Sequence, residues 1–268
     1  MKLKSDMSHM RGVRYFCFSS KLILTFFIFI LFISCSSDKA AVKKTPISDP
    51  TALFEKVKEK IAKRDFEEAR SILNDIKAWD SSREYSALAQ IRIADTYYEE
   101  TKYDEAVAGY RQFLDLHTYH KYSPYVQFRI AMSYFKRVTG IDTGSSFAQQ
   151  ALDEFVKLRK LYPRNPYMEI TDKRIKRCKN ILAEYEFYVG KFYMDKGSYK
   201  SAVQRFKNIL KQYPDSKIES EAMYNLGLSY IDLGEIEEAM EALSLLIEKY
   251  PTIKLSARAS ELLASLKE

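Results

Sequence analysis

Few side chains in this sequence stand at spacings that chemistry requires. His117 and His120 lie three residues apart, so on a helix both imidazoles share a face that could clamp a metal. No carboxylate or cysteine stands where it would complete that site. Cys178 lies among Lys176, Arg177 and Lys179, cations that favour a thiolate, although a lone cysteine on a helix equally suits packing. The neighbouring acids Glu67-Glu68, Glu99-Glu100 and Glu237-Glu238 diverge around a helix and read as solvated faces. There is no phosphate-cradling glycine loop, nucleophile elbow or HExxH. The sequence therefore predicts no catalytic residue, no metal site and no cofactor, and the chain reads as non-enzymatic.

The elements that position side chains follow from composition and periodicity. In 268 residues there are only 7 prolines and 8 glycines, against 20 tyrosines and 16 phenylalanines, which argues for an all-α chain with a real core. The formal net charge is +7, but Lys2, Lys4, Arg11, Arg14 and Lys21 against Asp6 place more than half of it ahead of Cys35. What remains is too weak and too dispersed for a nucleic-acid footprint.

Residues 1–21 are basic and polar, and Leu22 to Ile33 is apolar apart from Thr25. Spanning a bilayer takes about 20 helical residues, so this run is too short and suits the core of a signal peptide. Leu31-Phe32-Ile33-Ser34-Cys35 then resembles a bacterial lipobox, with Phe32 where that pattern usually has leucine. The reading is a signal over 1–34, then a lipidated Cys35 with a flexible tether through residue 50, and a helical domain over 51–268. Cys17 is lost on cleavage and Cys35 is acylated, which leaves Cys178 without an intrachain disulfide partner. Ser36 and Ser37 lack the aspartate that retains such proteins at the inner membrane in the best-known sorting system, which points to the periplasmic face of the outer membrane.

The helical domain repeats. With Pro251 as the last position of a unit, Met223, Leu226, Gly227, Tyr230, Ala239, Leu243 and Leu246 fall on the tetratricopeptide (TPR) pattern. The same ruler fits Val189, Gly190, Tyr193, Ala202, Phe206 and Ile209 before Pro214, and weaker copies run back to Ala69. About five antiparallel helical pairs, wound into a right-handed superhelix, are expected. The repeat alanines Ala69, Ala106, Ala151, Ala202 and Ala239 are spaced 37, 45, 51 and 37 residues apart. The 45 is read as a loop over Val138–Gln150 inside the third pair, and the 51 as a lengthened helix, Met168–Met194, bridging the third and fourth pairs.

Those irregularities carry a resemblance. Ala151-Leu152-Asp153-Glu154-Phe155, Leu182-Ala183-Glu184-Tyr185-Glu186, Gly197-Ser198-Tyr199, Ala202-Val203, Arg205 and Tyr213-Pro214-Asp215 closely resemble the BamD family of lipoproteins. The resemblance implies an adaptor that docks on a periplasmic POTRA domain of a BamA-like barrel-assembly protein beside other complex subunits. It also implies recognition of unfolded outer-membrane β-barrel proteins and a membrane connection through the lipid anchor alone. Arg205 matches the family's docking arginine, in a polar strip with Ser201 and Asn208. Another TPR scaffold of the cell envelope, such as a secretin pilotin, is the alternative.

In TPRs the first helix of each pair lines the concave surface. Tyr98, Tyr125, Phe128, Met132, Phe135 and Phe187 fall on groove positions, with Leu88, Ile91 and Asp95, and Lys136 and Lys191 could meet a terminal carboxylate. Either this stripe is an open substrate groove, or tight curvature buries the rings. The N-terminal reading is tested by Cys35→Ser: the variant should stay soluble or unprocessed, while mass spectrometry finds acylated Cys35 at the wild-type N-terminus. An unmodified thiol there would refute lipidation.

Overall fold

The computed structural model describes residues 49–80 and 83–267; the signal, Cys35 and the tether through residue 48 lie outside the described residues. Eleven helices and no strand occur among the described residues. They are α1 (Pro50–Ala62), α2 (Phe66–Trp79), α3 (Glu84–Glu99), α4 (Tyr103–Leu116), α5 (Ser123–Lys136), α6 (Ile141–Leu161), α7 (Met168–Asp195), α8 (Tyr199–Gln212), α9 (Glu219–Leu233), α10 (Ile236–Lys249) and α11 (Lys254–Ser265). Each packs on the helix before and after it, giving the five expected pairs within one unit, Ile47–Glu268. The eleventh helix is an addition that the repeat ruler does not anticipate. Its Ala259, Leu262 and Leu266 cover Met223, Leu243 and Leu246, closing the last apolar face.

Local chemistry sets the helix boundaries. Asp49 caps α1 by accepting from the Thr51 N–H at 2.8 Å. The chain leaves four of the five first helices through a left-handed residue at one repeat position: Arg64 (φ 58°), Thr101 (φ 63°), Gly197 (φ 70°) and Gly234 (φ 77°). Four of the second helices end on a residue of matched, non-helical backbone, His117, Tyr162, Tyr213 or Tyr250, with ψ between 51° and 64°, whose N–H reaches the carbonyl four residues back. His117 is thus the positional counterpart of the repeat tyrosines. Its ring packs 4.9 Å from Phe113, and His120 accepts from the Tyr122 N–H at 3.3 Å, so the pair has a structural task.

The expected loop over Val138–Gln150 does not exist. Only Arg137–Gly140 connects the third pair, and α6 starts at Ile141 after an extended Gly140 (φ −159°). The helix continues because Phe147, Ala148, Ala151, Leu152 and Phe155 already form a helical stripe against the core. Gly144 lets its first turn lie against Val138, whose Cγ1 would be 3.1 Å from an added Cβ. The 45-residue spacing is therefore a longer second helix, 21 residues against 14 in α4.

The lengthened α7 is present, at 28 residues. Ile175, Cys178, Ile181 and Leu182 belong to the core of the second and third pairs, while Ala183 and Phe187 belong to that of the fourth and fifth. Where α7 meets α8 within the fourth pair, it carries no side chain: a Cβ on Gly190 would sit 2.6 Å from Phe206.

Two substitutions test this packing in urea melts. Thr101→Gly should raise stability by about 1 kcal/mol, because a β-branched residue is strained in the left-handed region. Gly190→Ala should lower it by about 2 kcal/mol through overpacking on Phe206.

Candidate functional site

The second and third pairs meet around Asp95, whose side chain is almost fully buried on α3. Its carboxylate accepts from the Tyr110 hydroxyl at 2.5 Å and the Tyr125 hydroxyl at 2.8 Å. Arg92 donates to its second oxygen at 3.3 Å, and the Arg129 Nε lies 3.6 Å away. That same Nε donates to the Tyr110 oxygen at 3.1 Å, and the Arg129 guanidinium sits 3.6 Å over the Tyr98 ring. Burial, followed by the Asp95 charge, pushes the Tyr110 and Tyr125 hydroxyls well above their ordinary range. Burial alone would lower Arg129, but Tyr110, Tyr125 and Asp95 outweigh it and hold the guanidinium charged.

This network settles where the aromatic stripe is open and where it is core. Tyr98 is half-buried, lying beneath Arg129 and edge-on to Tyr103 at 5.4 Å. Phe128 stacks on Tyr167 at 4.8 Å and approaches Phe155 at 6.1 Å. Met132 is buried. Phe135 lies 6.3 Å from Phe155 and under the Arg174 guanidinium at 4.7 Å. Phe187 packs 5.6 Å from Phe206, in a separate core. An open stripe through Phe128, Met132, Phe135 and Phe187 is therefore corrected to half-buried and buried packing: Tyr167 and Arg174 cover Phe128 and Phe135, Met132 is enclosed, and Phe187 rests on Phe206. Lys136 is exposed away from any such groove, and Lys191 donates to Asn225 at 3.3 Å.

The open groove lies closer to the N-terminus. A cleft of about 200 Å³ is lined by Leu88, Ile91, Arg92, Asp95, Tyr122, Tyr125 and Tyr167. It shares Leu88 and Arg92 with a second cleft, of about 540 Å³, walled by Thr51, Phe54, Val57, Lys58, Ile61 and Tyr85. Together they run across α1, α3 and α5. Sequence reasoning missed Phe54, Tyr85, Arg92, Tyr122 and Tyr167. Carrying the groove positions of the second repeat onto the first lands on Thr51, Phe54, Lys58 and Ile61, so that half was within reach. Arg92 stands at the junction with its side chain 48% exposed.

The predicted docking strip has a partner inside the chain. Arg205 Nη1 donates to both Glu186 oxygens, at 3.2 and 3.3 Å, and Asn208 donates to the same carboxylate at 3.4 Å, while Ser201 is exposed beside them. Cys178 is fully buried, and burial pushes its thiol up to about 12 despite Arg174 and Arg177, so the basic neighbours do not make it a thiolate. The expectation of wholly solvated acid pairs also needs correction: Arg70 and Lys102 both bind Glu100, and Arg129 reaches Glu99 at 3.3 Å.

Comparison with known proteins gives one consistent answer. A family model described as YfiO, outer membrane lipoprotein, matches residues 46–245. The outer membrane protein assembly factor BamD of Buchnera aphidicola is 26% identical over 211 residues, covering 75% of this chain and 86% of the relative. BamD of Vibrio cholerae is 22% identical over 203 residues, covering 72% and 83%. Among solved structures, the TPR2AB domain of yeast Sti1 in its pHSP90 complex is similar at 18% identity and a TM-score of 0.40, covering 81% of this chain and 86% of that one. The family match runs from just before α1 into α10, so it includes the groove, α7 and the Arg205 strip.

Asp95→Ala should cost about 3 kcal/mol in urea unfolding, because it removes the acceptor of the Tyr110 and Tyr125 hydroxyls and leaves Arg129 only the exposed Glu99. Phe128→Glu should cost a similar amount, as expected of a core ring replaced by a charge. A loss below about 1 kcal/mol for either would contradict the packing described.

Proposed function

Because the chain belongs to the YfiO family of outer membrane lipoproteins, we propose that it is a non-enzymatic adaptor for assembling β-barrel proteins into the outer membrane. In this reading Cys35 carries the lipid anchor, the tether runs to residue 50, and the TPR domain over 51–268 faces the periplasm. The non-enzymatic reading is supported by how the acidic side chains are spent. Asp95, Glu154, Glu186 and Glu219 each lie between helices and are held by arginine, lysine, tyrosine or amide donors.

The observation that carries the substrate reading is the open groove across α1, α3 and α5. Phe54, Tyr85, Tyr122 and Tyr167 give it aromatic walls, and Arg92 leaves part of its guanidinium at the surface. That combination suits an extended segment ending in an aromatic residue and a free carboxylate, the form of a terminal barrel strand. Tyr98 and Tyr125 act here by holding Arg129 and Asp95 beneath the groove.

Docking on a POTRA-bearing, BamA-like protein is assigned to Arg205, Ser201 and Asn208. Both bonds to Glu186 come from Nη1, which leaves Nε and Nη2 for a second carboxylate. Glu186 thereby orients the arginine rather than consuming it.

Two measurements separate these roles. Arg92→Gln and Tyr85→Ala should each weaken binding of a C-terminal barrel peptide at least about tenfold, with helicity and a cooperative thermal transition retained. Wild-type affinity in both would remove the groove from the function. Arg205→Gln should reduce co-purification of a POTRA-bearing protein from solubilised outer membranes without touching peptide binding. Arg205→Glu should in addition lower the melting midpoint, since it sets two carboxylates face to face.

A further inference from the structure

The residues after Cys35 are only weakly basic as a whole, yet one stretch departs from that. Between Lys157 and Lys179 basic side chains dominate, with only Glu169 and Asp172 to oppose them. The fold gathers part of this charge around a cleft of about 400 Å³ between the end of α6, the first half of α7 and the turn from α8 to α9. Arg159, Lys176, Lys179, Asn180 and Ser216 line it. The two carboxylates in the lining are engaged: Asp172 faces Arg159 at 3.6 Å and Asp215 faces Lys249 at 3.1 Å. Lys176 and Lys179 have no such partner among the described residues. Ser216 is 8% exposed and its hydroxyl has no hydrogen-bond partner among the described residues. Asn180 accepts from the Lys217 N–H at 3.1 Å, which ties the turn carrying Ser216 to α7. Two uncommitted ammonium groups beside a buried, unspent hydroxyl form a receptor for a tetrahedral oxyanion.

The surroundings name its source. In an array of antiparallel pairs first helices begin, and second helices end, along one edge, and the long α7 makes a step in it, because the α8–α9 turn meets α7 at Asn180, about 18 Å from its start. That edge carries the cleft, and it also exposes large apolar side chains: Tyr119 at 98%, Leu116 at 65%, Leu161 at 53% and Ile170 at 39%. Tyr119 and Leu161 are near neighbours, since the Tyr162 hydroxyl reaches the Thr118 carbonyl at 3.5 Å across the two turns. Pro50 opens α1 at the same edge, so the described chain begins there. Aromatic and aliphatic side chains interspersed with lysines are the make-up of a surface that rests on a bilayer interface. We propose that this edge lies against the membrane and that the Lys176–Lys179–Ser216 cleft binds the phosphate of an anionic phospholipid headgroup. The choice of a lipid over free phosphate rests on the reading of Cys35 as an anchor.

The test uses residues 36–268 without the acyl chains and vesicles of phosphatidylcholine, alone or mixed with phosphatidylglycerol in equal parts. The protein should float with the mixed vesicles and not with phosphatidylcholine alone. Lys176→Glu with Lys179→Glu should lower the partition at least about thirtyfold. Ser216→Ala should lower it about fivefold, with thermal midpoints matching the wild type; diffuse charge attraction would ignore the hydroxyl. No flotation, or flotation indifferent to all three residues, overturns the proposal. Inorganic phosphate bound by the same residues, with no gain on vesicles, overturns the lipid assignment. Mass spectrometry of Cys35 tests the anchor separately, so failure here leaves that reading standing.

Discussion

The 28 residues of α7 rise about 42 Å along one axis, and a rod of that length has to be seated in two cores at once. Ile175 to Leu182 fill the space against the second and third pairs, and Ala183 to Met194 fill that against the fourth and fifth. An ordinary repeat helix would end before it reached the second core. Three features follow from the one element. Tyr167 and Arg174, before and within its first turns, cover Phe128 and Phe135. Cys178 and Asn180 occupy its buried middle. Glu186, past the midpoint, meets Arg205.

Buried carboxylates tie neighbouring helices together. Asp95 joins the second pair to the third, while Glu186 joins the two helices of the fourth pair. Glu219, 2% exposed, joins the two helices of the fifth pair by accepting from Lys249 and Tyr250, and holds the preceding turn through the Asp215 N–H. Taking a charge out of water costs several kcal/mol, so such a pair adds little net stability even when well matched. What it adds is register: an apolar stripe tolerates a slip of one turn, whereas a carboxylate held by several donors does not. Beside Glu219, the Tyr250 hydroxyl is pushed up to about 12, by its own burial first and by Glu219 second.

Curvature then divides the concave face. Around α5 the rings of the first helices meet Phe155 and Tyr167 and become core. Around α1 and α3 no such element crosses among the described residues, and Phe54, Tyr85 and Leu88 line open clefts. A partner with an aromatic end therefore has room at the N-terminal repeats, while the C-terminal repeats offer a polar strip. Under the proposed adaptor role, that separation lets one chain hold two partners without competition between them.

Much of this was legible in the residues. Helical spacing and the Tyr-Pro dipeptides gave the five pairs, and the interval from Ala151 to Ala202 gave the long helix, because periodicity reports which face of a helix is apolar whatever it packs on. The signal over 1–34 and the lipidated Cys35 are readings of the linear chain alone and lie outside the described residues. The same logic failed at Val138–Gln150, where two glycines suggested a loop; the stripe from Phe147 to Phe155 was the stronger signal, and burial enforced it. Periodicity names a face but not its neighbour. The Glu186 beneath Arg205, the Tyr167 across Phe128 and the Lys176–Lys179–Ser216 cleft each join residues far apart in sequence. Which groove positions stayed open, and where the uncommitted cations gathered, were decided by the long-range packing of α7, which no local pattern encodes.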